Sequence, residues 1–208
     1  MQTKVIPMDP AALETALQLL RAGQAIAFPT DTVYGLGANG LNIEAIEMLY
    51  VAKERPPNKA IPLLLADATQ ADEVAADWDE PLQRIAREFW PGALTLVVRA
   101  KEIVPRVLRA DGETVAVRVP NQPWLRALIR RFGHPLAATS ANLSGAPDPF
   151  SAQEVFAQLD GRIPLIVDGG RTNASRASTI VSISGAEVTI LRQGEITRAN
   201  IESVLRKA

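Results

Sequence analysis

Residues 9–28, DPAALETALQLLRAGQAIAF, hold the signals for a helix and for a strand in one short stretch. Asp9 supplies an acidic N-cap, Pro10 suits the first helical position, and Gly23 ends the helix. Leucines recur between these residues at helical spacing, and the run 24–28 is then mostly apolar. The stretch therefore predicts a capped amphipathic helix followed by a strand, which is the repeating unit of an α/β domain.

The same alternation continues along the chain. Helices are predicted over 43–51, 79–89, 123–132, 151–159 and 197–205, and strands over 61–66, 94–98, 114–119, 136–138, 165–167, 179–183 and 188–191. Segment 29–40 is predicted as a connecting loop. No repeat, low-complexity tract or long linker interrupts the pattern. We therefore expect one α/β domain over 1–208, with its core at about residues 10–195.

Two reactive residue types are almost missing from the composition. The chain contains no cysteine and one histidine, which excludes thiol nucleophiles, redox pairs of cysteines, iron–sulfur clusters and zinc sites of the Cys/His type. The one histidine, His134, lies between Gly133 and Pro135 and is interpreted as a turn residue rather than a general base. Any chemistry must use the side chains of Lys, Arg, Ser, Thr, Asn and the acidic residues.

The charge balance limits the classes of partner. Lys and Arg number 22 and Asp and Glu number 23, so the net charge of −1 argues against wholesale nucleic-acid binding. The N-terminus carries no basic segment followed by an apolar stretch, and no run approaches the ~18 apolar residues of a membrane span. Together with the missing cysteines, these features predict a soluble cytoplasmic protein.

Residues 35–40, GLGANG, satisfy the GxGxxG pattern between a predicted strand and a predicted helix. This arrangement is typical of dinucleotide-binding folds, which also place an acidic residue ~20 residues further along, at the end of a second strand. That stretch instead reads KERPPNK over 53–59. The alternative is that the glycines form a turn where the strand meets the helix.

Lys53, Arg55 and Lys59 form a dense cationic group around Pro56. Pro56 ends the helix, and we expect the three charged heads to converge on one side of the loop as a clamp for a triphosphate. The alternative is a solvated helix end, where cations are favoured by the helix dipole.

Polar groups also interrupt two apolar stretches. Arg118 lies inside the apolar strand 115–119, which is costly unless the guanidinium meets a carboxylate or opens to a cleft. A carboxylate ligand is therefore one interpretation. The segment 139–145 follows another apolar strand with four small hydrogen-bonding side chains, Thr139, Ser140, Asn142 and Ser144, which is more than a capped turn requires.

Four motifs in this order resemble the YrdC-type threonylcarbamoyl-AMP synthases. They are 29–36 (PTDTVYGL), Lys53-x-Arg55-Pro56, 117–120 (VRVP) and 139–142 (TSAN). The resemblance implies a twisted α/β domain of the YrdC-like type, with a mixed sheet and a concave cationic cleft. It also implies a nucleotidyltransferase that converts ATP, L-threonine and bicarbonate or CO2 into threonylcarbamoyl-AMP and pyrophosphate, for threonylcarbamoyladenosine modification of tRNA.

The resemblance also implies roles for individual residues. It assigns threonine binding to Thr32, Arg118, Ala138 and Ser178, and ATP binding to Arg55, Lys59, Thr114, Ser140, Asn142, Asp148 and Arg192. With the cation placement, it gives Lys53 and Arg55 catalytic roles. Mg2+ is expected to arrive with ATP, held mainly by the phosphates and without a dedicated protein site. The implied partner is a downstream tRNA-modifying transferase complex.

The amino-acid sequence is also compatible with other functions. A non-catalytic module for double-stranded RNA or tRNA could make weak phosphate contacts through five arginines, Arg106, Arg109, Arg126, Arg130 and Arg131. Relatives of uncertain activity lack the Ser-x-Asn motif, and carbamoyl-transfer proteins carry a similar domain beside zinc-finger segments. Ser140 and Asn142 argue against the first group and the missing cysteines against the second. Segment 170–178 is either a lid over the phosphates or a solvated loop.

Overall fold

A computed structural model describes residues 2–172, 177–185 and 187–206. The helices are α1 Pro10–Arg21, α2 Ile43–Lys53, α3 Ala71–Val74, α4 Glu80–Phe89, α5 Pro123–Phe132, α6 Ala152–Leu159 and α7 Arg198–Arg206. The strands are β1 Lys4–Pro7, β2 Ile26–Phe28, β3 Gly35–Asn39, β4 Leu63–Leu64, β5 Leu94–Arg99, β6 Thr114–Arg118, β7 Leu136–Ser140, β8 Leu165–Asp168, β9 Thr179–Ser184 and β10 Glu187–Arg192. Short 3-10 turns span Ala68–Gln70 and Arg106–Arg109.

These strands form one mixed sheet in the order β1-β8-β2-β3-β7-β4-β6-β5-β9-β10. Parallel pairs join β1 to β8, β8 to β2, β4 to β6 and β5 to β9. The other neighbours run antiparallel. The expected α/β fold with a mixed sheet is confirmed.

Two apolar layers cover the sheet. On one face, α1 and α5 pack against each other and against side chains such as Phe28 and Leu136. On the opposite face, a larger core includes residues of α2, α4, α6 and α7. Strand residues alternate between the two faces, so that Ala27 and Ala137 belong to this second core. Helices on both faces therefore bury the middle of the sheet.

The helix caps agree with the sequence signals. The Asp9 side chain accepts a hydrogen bond from the Ala12 backbone N–H at 2.7 Å, and Ser151 caps α6 in the same way at 3.2 Å. Helix α5 spans the predicted residues, and Asp79 caps α4. His134 is exposed in the turn after α5, where its ring contacts Phe132 edge to face.

The prediction of a loop over 29–40 was wrong, because residues 35–39 form β3 between β2 and β7. Gly35 and Gly37 lie in the strand and form no phosphate loop, whereas Gly40 lies in the turn between β3 and α2, as the alternative expected. A Cβ at Gly35 or Gly37 would lie 2.9 or 2.8 Å from the Phe28 ring, so these positions have room for glycine alone. Strand β1 and helix α3 were not predicted, β7 continues to Ser140, and β4 covers only two residues, Leu63–Leu64, of the strand predicted over 61–66.

Within the described residues, no helix combines the length and apolar character that crossing a bilayer requires.

We expect Gly37→Ala to lower the free energy of unfolding by about 1–3 kcal/mol, because the new methyl group would overlap the Phe28 ring. Urea denaturation of the variant and the wild type measures this loss. In a double-mutant cycle, Phe28→Leu should relieve part of it, so the double variant should lose less than the sum of the single variants. Additive losses would contradict the packing explanation.

Candidate functional site

A cleft of about 330 Å³ opens on the sheet face that α1 and α5 cover elsewhere. Thr95 of β5, Ala116 of β6 and Ile180 of β9 line it from the sheet. Eight residues with predicted ligand roles line the same cleft: Thr32, Arg55, Arg118, Ala138, Ser140, Asp148, Ser178 and Arg192. Segments from six distant parts of the chain therefore meet around one cavity.

Arg118 is the most deeply buried cation of the cleft, with 6% of its surface exposed. Its Nη2 donates to the Asp31 carboxylate at 2.6 Å, its Nη1 to Thr32 Oγ1 at 3.0 Å, and its Nε to the Gly92 carbonyl at 2.8 Å. Burial lowers the pKa of Arg118, and Asp31 opposes that shift. A guanidinium has five N–H donors, so two remain for a ligand. The protein itself supplies the first carboxylate, and the cleft leaves room for a second.

The hydroxyl of Thr32 has a defined direction. Thr30 Oγ1 donates its one hydrogen to the Val33 carbonyl at 2.7 Å, so Thr32 must be the donor in the 3.0 Å contact between the two hydroxyls. Thr32 Oγ1 also accepts from Arg118. One lone pair of this oxygen remains, and it can accept a hydrogen bond from an amine in the cleft.

Arg192 and Ser178 close the cleft on the side of β9 and β10. The Arg192 Nε donates to the Ser178 carbonyl and its Nη2 to Ser178 Oγ, both at 3.0 Å. Burial lowers the pKa of Arg192, with a further decrease from the nearby Arg118 charge, while Asp148 raises it. Two guanidinium groups therefore face the same cavity and repel each other until an anion enters.

The Lys53 side chain does not lie where the sequence analysis predicted. Its side chain is 1% exposed and is absent from the lining of the cleft. The Lys53 Nζ donates to the carbonyls of Ser140 and Asn142 and, at 3.2 Å, to Asn142 Oδ1. The ammonium therefore holds the turn after β7 from behind. It does not converge with Arg55 and Lys59, because the lysine points inward from the last turn of α2.

The other two cations of the predicted clamp also separate. Arg55 lines the cleft and donates to the carbonyls of Lys59 and Ala60 at 3.2 and 2.9 Å, which shapes that loop. Lys59 is exposed and its side chain is not part of the lining. The three heads do not form one clamp in this structure, and only Arg55 faces the cavity.

Three further residues that were predicted to bind ATP lie in three different environments. Asp148 is exposed at the cleft rim, and Asn142 is buried in the turn, where its Nδ2 donates to the Ala146 carbonyl at 2.6 Å. Thr114 lies outside the lining, at the opposite end of β6 from Arg118. Its side chain shares a face of the sheet with Ala116 and Arg118, because alternate strand residues point the same way.

Sequence reasoning gave no ligand role to two threonines that line the cleft, Thr30 and Thr95. Thr95 carries the same signal as Arg118, a polar residue inside an apolar strand, LTLVVR over Leu94–Arg99. Thr139, which the sequence analysis singled out in the polar segment 139–145, also lines the cleft. From the predicted lid segment, residues 173–176, including Asn173 and Arg176, lie outside the described residues.

The arginines that suggested RNA binding have partners in the protein. Arg130 and Arg131 pair with Asp67 and Glu14, and the Nε of Arg126 donates to the Ala66 carbonyl at 2.9 Å. The Nη1 of Arg109 donates to the Gly112 carbonyl at 2.9 Å. These contacts tie four of the five side chains to local structure and give the RNA-binding alternative no support.

Comparisons with known proteins agree on one family. The Sua5/YciO/YrdC family model, described as "Telomere recombination", matches residues 18–194. The threonylcarbamoyl-AMP synthase of Bacillus subtilis (strain 168) is 45% identical over 199 residues, covering 95% of this chain and 57% of that protein. The putative threonylcarbamoyl-AMP synthase of Mycobacterium tuberculosis (strain H37Rv) is 34% identical over 191 residues, covering 92% of this chain and 88% of that protein.

Solved structures give the same result. P. abyssi Sua5 complexed with L-threonine has a TM-score of 0.94 and 37% identity, covering 98% of this chain and 61% of that one. This chain spans little more than half the length of the Bacillus subtilis relative, at 57%.

We expect Asp31→Ala to lower the free energy of unfolding by about 3 kcal/mol or more, because it leaves the buried Arg118 without its counter-ion. Urea denaturation measures the loss. The matched control is Glu80→Ala, which breaks a pair whose side chains are 59% and 61% exposed and should change stability by less than about 1 kcal/mol. Equal losses in the two variants would contradict the role given to burial.

A second prediction concerns Lys53, whose pKa burial lowers from 10.5 to about 8. Between these two values the unfolded chain binds more protons at this side chain than the folded protein does, so stability rises with pH. We expect the wild type to gain stability relative to Lys53→Met across this window, measured by urea denaturation at successive pH values. A difference that does not change with pH would show that Lys53 titrates normally.

Proposed function

The chain belongs to the Sua5/YciO/YrdC family, and we propose that it forms threonylcarbamoyl-AMP and pyrophosphate from ATP, L-threonine and bicarbonate or CO2. The observation that carries this proposal is the cleft itself, in which Arg118, with two free N–H donors, shares one cavity with Arg55 and Arg192. An amino-acid carboxylate suits the first cation and a triphosphate suits the other two.

L-Threonine would bind at the buried end of the cleft. Its α-carboxylate would receive the free N–H donors of Arg118, and its amine would donate to the open lone pair of Thr32 Oγ1. Ser178 and the backbone at Ala138 line the same cavity and complete the set of predicted threonine contacts. The similarity to a structure complexed with L-threonine supports L-threonine as the ligand.

ATP would bind across the more open part of the cleft. Arg55, Ser140 and Arg192 line it and offer two guanidinium groups and a hydroxyl to the phosphates. We further propose that Lys59 and Thr114 contact ATP at the rim, and that Asn142 acts through the turn it holds. In this arrangement Lys53 acts as a fixed positive charge beneath that turn, since its lowered pKa of about 8 still leaves it mostly protonated at neutral pH.

The reaction needs no nucleophilic side chain. The threonine amine adds to the carbon of CO2 and loses a proton, which forms a carbamate. A carbamate oxygen then attacks the α-phosphorus of ATP, the bond to the bridging oxygen breaks, and pyrophosphate leaves. The protein contributes by holding the two reactants in line, by excluding water from a labile carbamate, and by placing guanidinium groups where negative charge develops.

Mg2+ is part of the proposal because ATP carries it. When bound, the ion neutralises phosphate charge during transfer. Among the described residues no group of three or more acidic or histidine side chains forms a metal cage, and Asp148 is the carboxylate that lines the cleft. The chemistry of these residues fits an ion held mainly by the phosphates, with Asp148 as the available protein ligand.

The product is a reactive mixed anhydride, so we propose that a downstream transferase complex consumes it to modify tRNA, in the cytoplasm. The similarity to threonylcarbamoyl-AMP synthases supports the identity of this product.

The test is pyrophosphate release from ATP by the purified protein, with and without L-threonine and bicarbonate. Arg55→Ala should lose roughly 2 kcal/mol of transition-state stabilisation, or about 30-fold in kcat/KM, because one charged donor to the phosphates is removed. Arg87→Ala is the matched control, since Arg87 pairs with Glu80 on the exposed surface of α4 and does not line the cleft. Its rate should equal that of the wild type.

Release that requires both threonine and bicarbonate would support the synthase. A folded protein whose ATP turnover ignores both compounds would contradict it. An Arg55→Ala rate within twofold of the wild type would contradict the role of Arg55 alone.

A further inference from the structure

Thr95 is a buried polar residue of the cleft that the proposed mechanism does not use. It lies on β5, is 2% exposed, and lines the cavity. Burying a hydroxyl in an apolar strand is unfavourable unless it forms hydrogen bonds. Among the described residues its side chain has one partner, the Ser178 hydroxyl at 2.8 Å.

The sheet register places Thr95 between two residues of the proposed threonine site. Strands β5 and β6 are antiparallel with Leu96 opposite Val117, so the next position brings Thr95 opposite Arg118. Both side chains line the cleft, and side chains directly opposite each other have Cβ atoms about 5 Å apart. On the other side, Thr95 contacts Ser178, the residue just before β9.

Among the described residues, the hydroxyls of Thr95 and Ser178 have two hydrogen atoms but only one hydrogen bond in which either of them is the donor. Arg192 donates to Ser178 Oγ, and an arginine cannot accept a hydrogen bond in return. The contact between Thr95 and Ser178 uses one of their two hydroxyl hydrogens, whichever residue is the donor. The second hydrogen is left without a described partner, on a pair that lines the cleft. This pair therefore offers one donor and spare lone pairs to a ligand.

We propose that Thr95, acting with Ser178, is a specificity-determining residue that recognises the β-hydroxyl of L-threonine. The inference rests on the proposed function, which puts the α-carboxylate on Arg118. The β-carbon then extends from Arg118 towards the hydroxyl pair, which lies one side-chain position away on the neighbouring strand. A hydroxyl in this position both donates and accepts, so it matches the unused hydrogen and lone pairs.

This arrangement rejects amino acids without a β-hydroxyl. A site that hydrogen-bonds a substrate hydroxyl leaves its own buried polar groups unpaired when that hydroxyl is missing, which costs far more than a lost methyl contact. L-2-aminobutyrate differs from L-threonine by that hydroxyl alone and is therefore the matched probe. The proposal predicts that the preference for L-threonine over L-2-aminobutyrate depends on Thr95.

The experiment compares wild type, Thr95→Val and Thr95→Ser in pyrophosphate release with L-threonine and with L-2-aminobutyrate. Thr95→Val keeps the shape of the side chain and removes its hydroxyl. It should lose at least tenfold in kcat/KM for L-threonine, mainly through KM, while its value for L-2-aminobutyrate changes by less than threefold. Thr95→Ser keeps the hydroxyl and should retain the discrimination. Thr95→Ala provides the same comparison if Thr95→Val does not fold.

Calorimetric binding of the two amino acids without ATP separates this proposal from the proposed function. Wild type that binds L-threonine at least tenfold more tightly than L-2-aminobutyrate, but releases no pyrophosphate, would overturn the proposed synthase activity. The role of Thr95 would then be tested by the binding of the two amino acids to Thr95→Val. Wild type that binds neither would overturn both. Equal losses for both amino acids in Thr95→Val would indicate a structural role and overturn the specificity proposal, as would an unchanged preference for threonine.

Discussion

The burial of one guanidinium group, that of Arg118, organises the site. A buried arginine needs a counter-ion and hydrogen-bond partners, and here they come from the loop after β2 and from the turn before β5. Asp31, Thr32 and Gly92 are thereby held around the end of β6. The same three contacts leave two N–H donors unused on a side chain that lines the cavity, so the contacts that stabilise the fold also leave donors available to an anion.

The cleft follows from incomplete coverage of the sheet. Helices α1 and α5 pack on one face over β2, β7 and β8, while on that face residues of β5, β6 and β9 line the cavity. Phe28 fills the covered region and requires glycine at positions 35 and 37 of β3. Close packing of the central strands and an open cavity beside them are therefore two results of one helix arrangement.

Two cations close in sequence, Lys53 and Arg55, lie in different environments. Lys53 and Arg55 are two residues apart, yet Lys53 turns into the core to hold the carbonyls after β7 and Arg55 faces the cleft. The helix ends at Lys53 and Glu54 adopts a left-handed conformation, which separates the two side chains. Their spacing predicted one clamp, but a side chain's direction at a helix end depends on this backbone turn and on the acceptors it meets.

The sequence alone determined the local elements and the family. Caps such as Asp9 and Asp79 and the apolar periodicity are local signals, so six of the seven described helices followed from the sequence. Eight of the residues with assigned ligand roles do line one cleft. Only the tertiary structure decided that residues 35–39 form a strand, that Lys53 lies behind the site, and that Thr95 meets Ser178 across 83 residues of chain. These features depend on which strands become neighbours, and long-range packing rather than local sequence sets that order.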